Sequence, residues 1–133
     1  MACPQVPVVL NRGFAAHLHI EVVRGDPPCS AVEVSGELDV ATAGRLAEAL
    51  ALELASDYRF TVLDVSRLTF CDATGLGVVL RAHHEYAAAD GSLTLSGAGP
   101  HLARLLRITG LDAVLNLAAT RPTTTASALP ERI

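Results

Sequence analysis

The apolar positions change period along the chain, and each change marks an element. "HLHIEVV" (17–23) has strand propensity through Ile20, Val22 and Val23. "AVEVSGEL" (31–38) alternates, with Val32, Val34 and Gly36 on one side and Glu33, Ser35 and Glu37 on the other. The stretch between them, "RGDPPCS" (24–30), is dense in turn formers, so the two runs predict an antiparallel pair. The period then lengthens. Leu46, Leu50 and Leu54 recur at four-residue steps with Ala43 and Ala47 beside them, which predicts a helix face capped by Asp39 or Thr42. "RFTVLDV" (59–65) reads as a buried strand, and "SRLTF" carries it to "FCDATGLGV" (70–78). Leu76, Val79, Leu80, His83 and Ala87 keep helical spacing up to a stop near Gly91. "SLTLSG" (92–97) alternates as a strand. "GPHLARLLRITG" predicts a short helix with Pro100 in its first turn and Gly110 at its end, and "LDAVLNL" a last short strand.

Two strands followed by alternating helices and strands define an α/β domain with a mixed, mostly parallel central sheet of four or five strands and three or four helices. Its crossovers are expected to be right-handed. The 133 residues suit one domain with its core at about residues 15–118. Residues 1–14 and 119–133 are expected to be loose or weakly ordered, with at most a weak helix from Pro122.

Composition narrows the function. Half of the residues are hydrophobic and only 4% aromatic, so Ala, Val and Leu must build the core. All ten basic residues are Arg, which removes any lysine Schiff base or phosphate-binding lysine. The net charge is -4 and no basic run occurs, which argues against a nucleic-acid surface. No apolar run approaches the roughly 20 residues of a membrane span, and no signal-peptide pattern is present, so a cytoplasmic protein is expected. Cys3, Cys29 and Cys71 form neither a metal spacing nor a disulfide framework and are expected to be reduced thiols. His17 with His19, and His83 with His84, lack a third ligand nearby in sequence, so no metal or other cofactor is expected.

The chemistry concentrates in two acidic turns, each placed after a strand and before a helix. In an open α/β sheet, sites lie beyond the carboxyl ends of strands. Asp72 is placed to cap the second helix through the N–H of Thr74 or Gly75. Asp39, in "SGELDVATA", belongs to the neighbouring turn and is expected close to Asp72. Two carboxylates and a hydroxyl could form a metal site, an acid/base pair or a recognition patch.

The stretches "SGELDVATAGRLAEAL", "FTVLDVSRLTFCDATGLGVVLRAH", "GSLTLSG" and "PHLARLLRITGLDAVLNL" resemble the STAS domain, in particular the bacterial anti-sigma-factor antagonists. With the first strand the resemblance covers about residues 17–118. It implies a small α/β domain that acts by binding and not as an enzyme. Its implied partner is an anti-sigma factor with a serine-kinase fold, which releases its sigma factor when the antagonist binds. In the family the kinase phosphorylates a Ser directly after the motif Asp, and a phosphatase restores it. The implied partner-binding residues are Asp39, Asp72, Ala73, Thr74, Gly75 and Leu76. This chain departs at the acceptor: the family motif Asp-Ser-Ser/Thr-Gly-Leu reads Asp72-Ala73-Thr74-Gly75-Leu76. Phosphorylation is therefore either absent or moved to Thr74, whose side chain is rotated by about 100° from that of residue 73.

Three rival readings carry less. "DATGL" faintly resembles the Asp-Lys-Thr-Gly-Thr loop of haloacid-dehalogenase-like enzymes, but the lysine is missing and the domain is too small. Cys71 near a helix start could be a redox thiol, although neighbouring Asp72 opposes its ionisation. STAS domains also serve as parts of transport or other signalling complexes, and this role is the closest alternative.

Overall fold

The alternating runs form an antiparallel pair, β2 (Leu18–Arg24) and β3 (Cys29–Leu38), with Ile20 opposite Val34 and Val22 opposite Val32. The computed structural model describes residues 8–14 and 17–118, with side chains from His17 onward. One strand was not expected: Val8–Phe14, read as part of a loose arm, is β1 and pairs antiparallel with β2 through a bulge between Asn11 and Gly13. The β-branched and apolar residues of "VVL" suit an edge position, and a neighbouring strand supplies the ladder that the local sequence does not advertise. The expected helix from Pro122 lies outside the described residues.

The remaining elements alternate. They are α1 (Ala43–Ala55), β4 (Phe60–Cys71), α2 (Ala73–Ala88), β5 (Ser92–Ser96), α3 (Pro100–Thr109), a 3₁₀ turn at Leu111–Ala113, and β6 (Asn116–Leu117). The sheet order is β1-β2-β3-β4-β5-β6, and the three pairings from β3 to β6 are parallel. The five expected strands are thus a mixed, mostly parallel sheet with three helices, and β1 adds a sixth strand at its edge. The last strand is shorter than "LDAVLNL" suggested, because Leu111–Ala113 coil first.

Each crossover from β3 to β6 steps one strand in the same direction. Right-handed crossovers of that kind place all three helices on one face of the sheet. Burial agrees. Leu18, Ile20 and Val22 of β2, Leu63 and Val65 of β4, and Leu93 and Leu95 of β5 are buried with Leu46, Leu50, Leu76 and Val79 of the helices. The alternate positions Glu33, Phe60 and Val62 are exposed on the other face.

The helix faces are rotated from the simple reading. On α1, Leu46, Leu50 and Ala43 are buried, but Leu54 is only partly so, and Ala49 and Glu53 take the inner positions. Glu53 is 0% exposed. Arg24 meets it with two bonds, Nε to Oε1 at 3.0 Å and Nη2 to Oε2 at 2.7 Å. That bidentate pair holds the Arg24 charge firmly and raises its pKa. On α2, the inner line is Gly75, Leu76, Val79, Ala82 and Tyr86, with His83 partly buried and Ala87 exposed. Tyr86 is 1% exposed, and its hydroxyl lies 3.1 Å from both the Leu50 carbonyl and Thr61 Oγ1. Burial pushes that phenol up to about 12. The Thr61 hydroxyl donates to the Tyr58 carbonyl and lies 3.0 Å from Ser30 Oγ. A polar chain thus ties β3, β4, α1 and α2 together inside an otherwise apolar core.

One thiol departs from the expectation of reduced cysteines. Cys71 is free and buried, whereas Cys29 is disulfide-bonded. Sequence spacing could not show this, since a disulfide depends on Cβ geometry and not on separation along the chain.

Candidate partner-binding site

The two acidic turns are held side by side by the sheet. Leu38 at the end of β3 is in register with Cys71 at the end of β4, and the Asp72 N–H donates to the Leu38 carbonyl at 3.2 Å. The turns containing Asp39 and Asp72 therefore share one rim at the carboxyl ends of two parallel strands.

Each aspartate organises its own turn. Asp72 is the N-cap of α2, and its Oδ1 accepts the Gly75 N–H at 3.0 Å. This satisfies one of the orphan donors of the first helical turn. Asp39 Oδ1 accepts from the N–H groups of Ala41 (2.9 Å) and Thr42 (3.2 Å). Thr42, not Asp39, is the N-cap residue of α1, and its side chain makes no capping bond to that helix. Its buried hydroxyl instead accepts from the Asp39 N–H at 3.0 Å and donates to the Glu37 carbonyl at 2.9 Å.

Ala73 and Thr74, the first two residues of α2, are both exposed, while Gly75 and Leu76 are buried. The four expected contact residues thus divide. Ala73 and Thr74 face outward, and Gly75 and Leu76 seat the helix. A Cβ on Gly75 would stand 2.7 Å from Leu38 Cγ and 3.1 Å from the Leu38 carbonyl oxygen. Only glycine lets α2 approach β3 this closely. Gly75→Ala is expected to destabilise the fold by overpacking, which costs about 1–3 kcal/mol and outweighs the gain of up to about 1 kcal/mol in helix propensity. Gly77, two residues on, has nothing within 4 Å of an added Cβ. Gly77→Ala is expected to raise stability by about 0.5–1 kcal/mol. Urea denaturation of both variants tests the pair; equal effects of one sign would contradict the close approach.

Apolar residues missed by the sequence reading flank the turns. Val40, beside Asp39, is 76% exposed, and Phe70, before Cys71, is 45% exposed. Phe70 shares the outward parity of Phe60 and Val62 along β4; the two extra residues that β4 carries against β3, between the Glu33–Asp64 and Glu37–Phe70 pairs, leave that parity unchanged at the end of the strand. A large apolar residue inside an acidic turn was the available signal for Val40.

Cys71 does not offer redox chemistry. It is 7% exposed, and burial, with a smaller contribution from the Asp72 charge, pushes its thiol up to about 11. In the folded protein at pH 8, alkylation at Cys71 is expected to run on the order of a hundredfold slower than for a free cysteine. Peptide mass spectrometry after timed quenching reads this directly, and rapid native labelling would refute it.

Among the described residues, no three His, Cys, Asp or Glu side chains come together as a metal site. No helix there is long and apolar enough to cross a membrane. The rim therefore presents carboxylates, two small outward residues at a helix start and flanking apolar side chains. Those features suit recognition of a protein surface.

A mixed, mostly parallel sheet of five strands with three helices, here extended by β1 at its edge, is the α/β fold of STAS domains. Residues 22–117 match the family model described as "Mlab, STAS domain". The chain is 30% identical to the anti-sigma-B factor antagonist of Listeria monocytogenes over 76% of its own length and 89% of that protein. It is 37% identical to the anti-sigma-B factor antagonist of Bacillus subtilis over 66% of its length and 80% of that protein. The crystal structure of an anti-sigma factor antagonist from Mycobacterium paratuberculosis superposes with a TM-score of 0.65 at 25% identity, covering 90% of this chain and 92% of that one. The chain belongs to the STAS domain proteins of the anti-sigma factor antagonist family. These are regulators and not enzymes, so the phosphoryl-transfer reading of Asp72 falls away. Asp72 is engaged as a cap.

Proposed function

We propose that the protein is a cytoplasmic anti-sigma-factor antagonist that binds a kinase-type anti-sigma factor with the rim of Asp39, Asp72, Ala73 and Thr74, and so frees a sigma factor. Gly75 and Leu76 set the height of that rim. We further infer that the phosphate switch is absent at this turn. The observation that carries this is Ala73: it directly follows the capping aspartate, is exposed, and has no hydroxyl. Thr74, the next residue, is turned by about 100° around the helix axis and serves as a contact. Binding is then controlled by protein level or by another input, and a phosphatase has no substrate here.

The test is incubation with ATP and the cognate anti-sigma kinase, followed by phosphopeptide mapping. Residues 70–78 are expected to stay unmodified while an Ala73→Ser variant takes up phosphate. Phosphate on Thr74 of the native chain would overturn the loss of the switch. Failure to bind any kinase-type anti-sigma factor would overturn the partner assignment.

A second reading is a STAS subunit of a transport complex, a role the same domain type can take. Co-purification from the native cell separates the two. Recovery of an anti-sigma factor supports the first reading, and a transporter ATPase the second.

A further inference from the structure

The helix-free face of the sheet carries an uncompensated pattern that the turn site does not use. Val23, Ala31, Val62 and Thr94 form one cross-strand row on this face, and Phe60 lies next to Val62 along β4. Phe60 and Val62 are each 40% exposed. The adjacent row on the same face is acidic: Glu21 pairs with Glu33, and Glu33 with Asp64. Like charges at paired positions destabilise a sheet. The ion pairs among the described residues are His17–Glu37 and Arg24–Glu53, so none of these three carboxylates is held in one; Arg67, opposite Ser35, lies in the next row. Asp64 Oδ1 accepts the Ser66 N–H at 2.9 Å, and the residue opens onto a cavity of about 620 Å³ lined also by Ser96, Gly97 and Pro100.

The spacing of the row selects the shape of what would neutralise it. Adjacent strands lie about 4.8 Å apart, so the three carboxylates repeat at that interval across the sheet. An α-helix presents side chains on one stripe about every 5.4 Å, one per turn. A helix lying across the strands can therefore set one cation over each carboxylate for three turns. Its neighbouring stripe would then cover the apolar row, which lies about 6.6 Å away along the strands. We propose that this face docks a basic amphipathic helix of a partner protein. Its Arg or Lys side chains lie over Glu21, Glu33 and Asp64, the last reaching the cavity beside Asp64, and its apolar stripe covers Val62 and Phe60.

A second copy fits less well. Among the described helices α3 has the most exposed cations, but it offers only Arg104 and Arg107 in ten residues. Its contact with the sheet would also be head-to-tail and not the self-complementary contact of a two-fold dimer. Two chains of net charge -4 would further repel on approach.

The probe is an 18-residue helical peptide with a Leu stripe beside an Arg stripe, compared with a twin bearing Glu in place of Arg. The full chain is titrated with each and followed by NMR chemical shifts. The Arg peptide is expected to bind with shifts centred on Glu21, Glu33 and Val62, and the Glu peptide not to bind. Charge reversal by Glu33→Arg, at an exposed position, should weaken binding by about tenfold or more. Glu33→Gln should leave the melting temperature unchanged or higher, since it relieves the row. Any of four results would overturn the proposal: no binding of the Arg peptide, equal binding of its Glu twin, shifts confined to the Asp39–Asp72 rim, or a lower melting temperature for Glu33→Gln. Sedimentation showing self-association that Arg104→Glu abolishes would reassign the face to a second copy.

Discussion

Replacing Arg24 by methionine is expected to cost about 3–5 kcal/mol of folding stability, a large part of what a domain of this size possesses. The loss comes from what remains behind. The Glu53 side chain is 0% exposed and stands on the inner face of α1, with no route to water. Without the guanidinium its carboxylate is a buried charge with no counter-ion. The converse change, Glu53→Leu, is expected to cost less, because the Arg24 side chain is 21% exposed and can turn its head to solvent while its stem stays packed. Its guanidinium also lies 4.7 Å from the Tyr58 ring centroid, a contact that survives the loss of Glu53. The double variant Arg24→Met/Glu53→Leu is expected to regain most of the stability, since well-packed apolar pairs replace buried ion pairs with little penalty. Urea denaturation of the three variants checks the order. Equal losses from the two single changes would show that the buried carboxylate is not the dominant cost.

Installing a serine at position 73 is expected to create a phosphate switch at this turn, on the reading proposed above that Ala73 leaves it without one. Residue 73 is exposed at the first position of α2, and a hydroxyl there would be open to a kinase. A phosphate adds about -1.5 to -2 charges. It would sit directly after Asp72, on the rim shared with the Asp39 turn. Two unit charges at about 4 Å repel by on the order of 4 kcal/mol at an effective dielectric near 20. If only about a third of that reaches the complex, affinity for the anti-sigma factor falls about tenfold. Calorimetric titration of phosphorylated and unmodified Ala73→Ser protein measures the difference. The helix start itself tolerates the new charge, because exposed N–H groups and the helix dipole favour anions there. The effect should therefore fall on binding and leave the melting temperature nearly unchanged. Undiminished binding after full phosphorylation would show that the rim is not the contact surface.

Much of this architecture was legible in the chain. The alternation at residues 31–38 and the four-residue spacing from Leu46 placed β3 and α1, because burial on one face imposes a period on any sequence. Asp72 as the cap of α2 was readable from one residue type before a helical run, since capping is a local bond. The order Asp72-Ala73-Thr74-Gly75 was visible without coordinates.

Other features depended on partners distant in sequence. Glu53 is tolerated on the inner face of α1 because Arg24, 29 positions away in sequence, pairs with it. Val8–Phe14 became a strand only because β2 offered an edge. The two register shifts that bring Phe70 opposite Glu37 belong to the pairing of β3 with β4 and to neither strand alone. The acidic row exists only in register: Glu21, Glu33 and Asp64 are unrelated in the sequence and adjacent in the sheet. Local bonds and single-face periodicity are carried by neighbouring residues, so the chain by itself determined the elements, their order and the capped turn. Which charges are paired, which face stays open and how closely α2 approaches Leu38 depend on contacts between elements, and only the tertiary structure decided them.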